Sequence, residues 1–162
     1  MHYRAPTLYL MMGLPGSGKS YFSSWLVRTV SNVVRIESDQ VRKRLNPTPT
    51  HSQEENQQVF AYIRLRTDDL LREGKDVVVD ATNLREQDRL PFIRIAEARG
   101  ANLKILHTVV AGRVAVERLA HKEATNLSDA DEQVYRRMLT RGIETPTSNN
   151  YYVVYGDGDP TE

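Results

Sequence analysis

Apolar and polar positions follow one another along the chain in blocks that are typical of short buried strands and amphipathic helices. Five apolar runs predict strands at Thr7–Met12, Asn32–Ile36, Asp76–Val79, Leu103–Val110 and Tyr151–Tyr155. Runs such as Val77–Val79, apolar at every position, are what a parallel sheet covered on both faces requires.

Helical segments fill the intervals between these strands. Five helices are predicted, at Lys19–Val30, Gln53–Arg72, Glu86–Arg99, Val114–Lys122 and Asp131–Arg141. Strands and helices in alternation predict an α/β fold with a five-stranded, mostly parallel sheet and helices on both faces. We expect Trp25 of the first helix in the core, and a flexible tail over residues 156–162.

The length and composition restrict the class of protein. A chain of 162 residues with 40% hydrophobic and 27% charged residues fits one folded domain. The absence of cysteine excludes disulfides and thiolate metal sites, and the four histidines share no metal-ligand spacing. No apolar run approaches the ~18 residues of a membrane-spanning helix, and no signal-peptide pattern is present, so a cytoplasmic location without membrane contact is expected. A net charge of +1 means that an anionic partner would meet a local basic patch.

The segment Gly13–Ser20, GLPGSGKS, lies between the first predicted strand and the first predicted helix. This pattern and context are those of a phosphate-binding loop, in which glycines let backbone amides point at a phosphate. Lys19 would reach the β- and γ-phosphates and the Ser20 hydroxyl would ligate Mg²⁺. The segment predicts binding of ATP or GTP with Mg²⁺; the alternative is a glycine-rich turn with a solvated lysine. The candidate nucleotide-binding residues here are Gly13, Leu14, Pro15, Gly16, Ser17, Gly18, Lys19, Ser20 and Tyr21.

A second candidate motif, ESDQVR, follows the second predicted strand. Asp39 would lie at the carboxyl edge of the sheet, where ligands bind in α/β folds, and could accept the proton of an attacking hydroxyl. Arg42, three residues later, would share its helical face and could bind an anionic acceptor. The alternative interpretation is a helix N-cap with a surface ion pair between Asp39 and Arg42.

A third motif, VVVDATN, ends the third predicted strand. Asp80 could support Mg²⁺ directly or through its water, and Asn83 would lie over the same edge of the sheet. The alternative is a turn, since Asp, Thr and Asn are common where strands end.

The two last helices carry several cations and predict a mobile lid over residues 113–142. A lid arginine would neutralise the transferred phosphoryl group and exclude water, and Arg118 is the first choice. The alternative is a solvated pair of helix faces, with ion pairs such as that between Glu132 and Arg136.

Together, GLPGSGKS, SDQVR and VVVDATN followed by LREQDR resemble the kinase module of polynucleotide 5′-kinases, within a wider group that includes the zeta toxins. The resemblance runs from Leu8 to about Met138. It implies that Lys19 and Ser20 bind phosphates and metal, that Asp39 is the general base, that Arg42 contacts the acceptor phosphate and that Arg118 contacts the donor phosphates. Some relatives have a second lid arginine where this chain has Lys122, which cannot replace its fork of donors.

Three further residues are candidates for binding: Lys122 for the donor nucleotide, and Asn83 and Arg89 for the acceptor. The resemblance implies a kinase that transfers the γ-phosphate of ATP or GTP to a 5′-hydroxyl of DNA or RNA. Other nucleic-acid end-healing domains or proteins would be its partners. One alternative is the same chemistry on a sugar or nucleotide-sugar, and another is a non-catalytic nucleotide-binding module. The cations at Arg42–Arg44 favour a polyanionic acceptor.

Overall fold

The computed structural model of the chain describes residues 3–122 and 126–156. Its strands form one parallel sheet in the order β2-β3-β1-β4-β5. The strands are β1 Thr7–Met12, β2 Val33–Glu37, β3 Asp76–Asp80, β4 Asn102–Val109 and β5 Tyr151–Tyr155. The helices are α1 Lys19–Thr29, α2 Ser38–Leu45, α3 Gln53–Arg72, α4 Glu86–Ala98, α5 Gly112–Ala120 and α6 Glu132–Arg141.

Two hydrophobic clusters cover the two faces of the sheet. Alternate residues of β1 and β3, such as Leu10 and Val79, pack with α3 and α4 on one face. The intervening residues, such as Met11 and Val78, pack with Leu26 of α1 on the other face. All five residues of β3 are buried, as expected for a strand covered on both sides. The predicted α/β architecture is therefore confirmed.

All five predicted strands are present, with ends within one residue of the prediction, but one helix was not predicted as an element. Helix α2 follows β2 without a loop, and of its eight residues only Val41 and Leu45 are apolar. So polar a segment has almost no helical hydrophobic period to detect. This helix carries Asp39 and Arg42, so it forms one wall of the candidate site.

Two further findings concern exposed and apolar surfaces. The prediction that Trp25 lies in the core is wrong: the residue is 42% exposed, and its ring is tilted against that of Phe22 with centroids 5.3 Å apart. Among the described residues, no helix combines the length and apolar character needed to cross a bilayer. The predicted flexible tail begins at Gly156, and residues 157–162 lie outside the described residues.

Candidate nucleotide-binding and phosphotransfer site

The loop between β1 and α1 is packed so closely that it requires glycine at two positions. A Cβ atom on Gly13 would lie 2.6 Å from Oγ of Ser17 and from Oγ1 of Thr108. A Cβ atom on Gly16, whose φ is +77°, would lie 2.6 Å from the carbonyl oxygen of Ala115. The loop therefore packs against the end of β4 and against α5. At Gly16 its backbone has a conformation that is strained for residues other than glycine.

The start of α1 presents backbone amides to the concave side of this loop. Gly18 is the N-cap residue with φ 100°, and the first intrahelical hydrogen bond runs from the Phe22 amide to the Gly18 carbonyl. The amides of the first helical residues therefore have no acceptor within the helix, and the helix dipole adds partial positive charge there. These are the features by which helix N-termini bind phosphate.

The side chains of the loop differ in what they can offer a ligand. Ser17 is buried with Oγ 2.7 Å from Oγ1 of Thr108. This hydroxyl is therefore hydrogen-bonded to β4 within the protein. Ser20 is exposed in the first turn of α1, where a hydroxyl can reach a metal beside a bound phosphate. Tyr21 is 52% exposed on the same turn. Leu14 and Pro15 have more than half of their surface covered, and Leu14 packs against the core.

Lys19 folds back over the loop. Its Nζ donates hydrogen bonds to the carbonyl oxygens of Gly13 at 3.0 Å and Leu14 at 2.9 Å. Burial lowers the pKa of the Lys19 ammonium, while the charges of Asp80 and Asp39 act in the opposite direction. The two carboxylates predicted from separate motifs therefore both act on the loop lysine.

Asp39 lies in the first turn of α2, at the edge of the sheet where β2 ends. Burial raises the pKa of this carboxyl and Asp80 adds to the effect, whereas Arg42, Lys19 and a hydrogen bond from Ser128 oppose it. The N-cap interpretation of Asp39 is wrong, since Glu37 is the N-cap residue and makes no side-chain capping bond. A partly buried carboxylate with a raised pKa can take up a proton from an attacking hydroxyl.

Arg42 is held by α3 rather than by Asp39. Its Nη1 donates to Oε1 of Glu55 at 2.7 Å and its Nη2 donates to Oδ1 of Asn56 at 2.6 Å. The Arg42 side chain is 8% exposed, and its buried Nε has no hydrogen-bond partner among the described residues. The alternative of a surface ion pair between Arg42 and Asp39 is therefore wrong, and this guanidinium is fixed in place before any acceptor arrives.

Glu55, which sequence reasoning missed, organises the segment between α2 and α3. Its carboxylate accepts hydrogen bonds from Arg42, from Asn46, from the amide and hydroxyl of Thr50, and from the amide of His51. Hydrogen bonds lower the pKa of Glu55 to about 2; the bond from the Thr50 amide has the largest effect and the bond from Arg42 the next largest. A buried carboxylate with this many donors stays ionised and rigid.

Asp80 has partners that the sequence did not reveal. Its Oδ2 accepts a hydrogen bond from Oγ of Ser23 at 2.8 Å and forms an ion pair with Arg35 at 2.7 Å. Arg35 also lies 3.1 Å from Glu37, and burial raises the pKa of that glutamate. Ser23 and Arg35 therefore fix the Asp80 carboxylate through Oδ2, and both of its predicted roles towards Mg²⁺ stay predictions.

Asn83 and Arg89 take structural positions. Nδ2 of Asn83 donates to the Met11 carbonyl oxygen at 2.8 Å, and its buried Oδ1 has no partner in the described part of the chain. Arg89 is 3% exposed and donates to the carbonyl oxygens of Asn83 and Glu144. The prediction that Arg89 contacts the acceptor is therefore revised: it ties α4 to the segments before α4 and after α6.

The two cations of the predicted lid are placed differently. Arg118 is exposed on α5, with Nη1 3.3 Å from the Gly16 carbonyl oxygen and Nη2 3.2 Å from the Gly156 carbonyl oxygen. Lys122 donates to the carbonyl oxygens of Ser128 and Ala130, so its ammonium holds the segment between α5 and α6. Arg118 is thus available to a donor phosphate, and Lys122 is engaged elsewhere.

The rest of the predicted lid, residues 113–142, comprises α5, α6 and the segment that joins them, of which residues 123–125 lie outside the described part of the chain. The alternative to a lid, a solvated pair of helix faces, predicts an ion pair between Glu132 and Arg136. This ion pair is present at 2.6 Å.

A metal ion would find few protein ligands here. Among residues 3–122 and 126–156, no group of three His, Asp or Glu side chains converges as a metal site. The exposed Ser20 hydroxyl suits Mg²⁺ that is carried in by nucleotide phosphates, since Mg²⁺ usually keeps most of its other ligands as waters and phosphate oxygens.

Residues 8–143 match the protein family described as an AAA domain. The chain belongs to this family. Together with its fold and its phosphate-binding loop, this makes the chain a P-loop kinase domain, and the predicted nucleotide-binding class is confirmed at that level. No curated protein sequence is similar enough to count as a relative of this AAA-family domain.

Solved structures of kinases and of RNA repair complexes share the fold of this domain. A chain of a Pnkp1/Rnl/Hen1 complex aligns with TM-score 0.63 and 25% identity, over 82% of this chain and 44% of that chain. A chain of the Pnkp1/Rnl/Hen1 RNA repair complex aligns with TM-score 0.74 and 20% identity, over 99% of this chain and 54% of that chain. The APS kinase of Mycobacterium tuberculosis, in complex with AMPPNP and APS, aligns with TM-score 0.67 and 16% identity, covering 96% and 91% of the two chains. This domain spans about half the length of the first two chains.

Proposed function

We propose that this domain is a polynucleotide 5′-hydroxyl kinase that transfers the γ-phosphate of ATP or GTP to the 5′-end of DNA or RNA. The observation that carries the proposal is the position of Asp39. Its partly buried carboxylate lies in the field of Lys19, which belongs to the phosphate-binding loop, and of Arg42, which belongs to the predicted acceptor side. A general base for phosphoryl transfer has to lie between those two groups.

The reaction assigns each of these residues a separate step. The acceptor oxygen attacks the γ-phosphorus, the bond from that phosphorus to the β–γ bridging oxygen breaks, and the nucleoside diphosphate leaves. Asp39 receives the proton of the attacking hydroxyl. Lys19 and Arg118 neutralise charge on the transferred group, and the loop amides hold the phosphates. Mg²⁺, when bound with the nucleotide, shields the phosphate oxygens, with Ser20 as its ligand and Asp80 as a contact through water.

The RNA repair complex among the structural relatives supports a nucleic-acid acceptor, and by analogy end-healing domains or proteins as partners. The cations Lys43 and Arg44, which follow Arg42 on α2, support the same class of acceptor, because a polynucleotide carries a phosphate at every link.

Transfer to a small molecule is the second candidate. The APS kinase among the relatives supports it, and so does the engagement of Arg42 by Glu55 and Asn56, which leaves this guanidinium few free donors for a nucleic-acid phosphate. A non-catalytic nucleotide-binding role is the third candidate, and it predicts no transfer to any acceptor.

One transfer assay separates the three candidates. Nucleotide labelled at the γ-phosphate is incubated with Mg²⁺ and the domain, against a panel of 5′-hydroxyl DNA and RNA oligonucleotides, sugars and nucleotide-sugars. We expect label on the 5′-ends of oligonucleotides, and none on oligonucleotides whose 5′-ends already carry phosphate. Label on a metabolite alone would replace the proposal by the second candidate. Nucleotide binding without transfer to any acceptor would replace it by the third.

A further inference from the structure

Lys43 and His51 converge on a single carboxylate. Nε2 of His51 lies 3.0 Å from Oδ2 of Asp129, and Nζ of Lys43 lies 3.6 Å from Oδ1 of the same residue. The two donors come from different elements, α2 and the segment before α3, whereas Asp129 belongs to the segment between α5 and α6. Both oxygens of one anionic group are therefore met by separate donors, which is how a protein recognises an anion with two free oxygens.

The donors of this pair are placed on the acceptor side of the site. Lys43 follows Arg42 in α2, and the backbone amide of His51 donates to Oε1 of Glu55 at 3.3 Å, so the carboxylate that fixes Arg42 also fixes His51. His51 has a φ of +55°, a conformation that residues other than glycine adopt only where the surroundings impose it. The backbones of the two donors are thus fixed by α2 and by Glu55, independently of Asp129.

The segment that carries Asp129 also lies near the candidate general base. Ser128, its neighbour, lies close enough to the Asp39 carboxyl to lower its pKa, and Lys122 holds the same segment through the carbonyl oxygens of Ser128 and Ala130. An acceptor hydroxyl that approaches Asp39 therefore meets this segment. A displacement of the segment by the acceptor would also withdraw Asp129 from Lys43 and His51.

We propose that Lys43 and His51 form a binding site for a second phosphate of a polynucleotide acceptor, and that the Asp129 carboxylate occupies this site until the acceptor displaces it. A phosphodiester resembles a carboxylate here, because each has one negative charge shared by two oxygens. The side chains of Lys43, His51 and Asp129 are between 36% and 48% exposed, and exposed pairs of this kind are weak enough for an incoming anion to replace. The proposal rests on the proposed function and adds that acceptors with at least two phosphates bind more tightly than those with one.

The test compares two acceptors with 5′-hydroxyl ends: a nucleoside 3′-phosphate, which has one phosphate, and a dinucleotide 3′-phosphate, which has two. In Lys43→Ala, the KM of the dinucleotide should rise about threefold to fivefold, the size of an exposed charge contact, while the KM of the mononucleotide and of ATP stay unchanged. Asp129→Asn should lower the KM of the dinucleotide by a similar factor. Lys104→Ala, which removes an exposed cation from β4, is the matched control and should change neither constant.

A binding measurement without transfer completes the test. Fluorescence anisotropy of a 5′-hydroxyl oligonucleotide should show a salt dependence whose slope decreases by about one in Lys43→Ala and not in Lys104→Ala. The increase in affinity expected of Asp129→Asn cannot arise from misfolding. Unchanged KM values and salt slopes in Lys43→Ala and Asp129→Asn, with transfer intact in the wild type, would overturn this inference alone. An oligonucleotide that is neither bound nor phosphorylated by the wild type would overturn the proposed function as well.

Discussion

Oε1 of Glu55 lies 2.7 Å from Nη1 of Arg42, and both side chains are less than a tenth exposed. Two charges buried together in this way stabilise a structure little compared with a well-packed apolar pair, but removal of one partner leaves the other charge uncompensated. The position of the candidate acceptor-binding arginine therefore depends on a glutamate in the first turn of α3.

Replacement of Glu55 by glutamine should make the free energy of unfolding less dependent on pH in the acid range. The pKa of Glu55 is about 2 in the folded chain, below its ordinary value of 4.5. A lowered folded-state pKa contributes stability that is present above 4.5 and is lost as the pH falls from there towards 2. Urea unfolding at pH 7, 4 and 3 should show this loss in the wild type, whereas Glu55→Gln should be less stable at pH 7 and lose less on acidification.

The exposed neighbour Glu54 offers the matched control, since it lies in the same helical turn. Glu54→Gln should follow the wild-type dependence on pH. If Glu55→Gln followed it too, the hydrogen bonds to Glu55 would not be what lowers its pKa.

Asp39 separates acceptor chemistry from nucleotide binding. Asp39→Asn should reduce transfer by about 10²–10⁴-fold, the contribution of a general base, and leave the affinity for ATP nearly unchanged. Burial raises the pKa of Asp39, so the acid limb of the kcat/KM profile should lie above the ordinary value of 3.8. Equal transfer by the variant and by the exposed-surface control Glu97→Gln would remove Asp39 from the reaction.

The same shift predicts the sign of the effect on stability. A raised folded-state pKa means that protonation of Asp39 favours the folded state, an advantage that is lost as the pH rises through that pKa. Asp39→Asn, which cannot ionise, should therefore unfold at pH 7 at an equal or higher urea concentration than the wild type. A clear loss of stability would indicate a structural role at the start of α2.

The parts of the site that the sequence predicted are the local ones. The phosphate-binding loop and the carboxyl-edge positions of Asp39 and Asp80 follow from contiguous residues whose spacing and flanking strands are visible in the chain. Glu55 and Arg35 were missed because their importance comes from partners 13 and 45 residues away, Arg42 and Asp80. No local pattern distinguishes such a charge from a solvated one, since burial by distant elements decides which it is.

Lys19 should be required for transfer but not for folding. Its ammonium is bonded to carbonyl oxygens of the loop, and burial lowers its pKa, so folding gains little from its charge. Lys19→Ala should abolish measurable transfer, because the variant loses the cation that the loop places at the β- and γ-phosphates. Thermal unfolding should stay within a few degrees of the wild type, as for the control Lys104→Ala. Turnover close to that of the wild type would exclude the kinase mechanism.

Arg118 provides the test of the lid. Its guanidinium is exposed and donates long hydrogen bonds to the carbonyl oxygens of Gly16 at 3.3 Å and Gly156 at 3.2 Å, so its removal should change the melting temperature little. If it neutralises the transferred phosphoryl group, Arg118→Ala should lower kcat by about 10²–10³-fold. Arg118→Lys should restore only part of the rate, because an ammonium cannot make the paired contacts of a guanidinium. Arg28→Ala, which removes an exposed arginine from the last turn of α1, controls for general loss of positive charge. If Arg118→Ala kept the wild-type kcat, this arginine would have no part in the reaction. The alternative, in which α5 presents a solvated face, would then be correct.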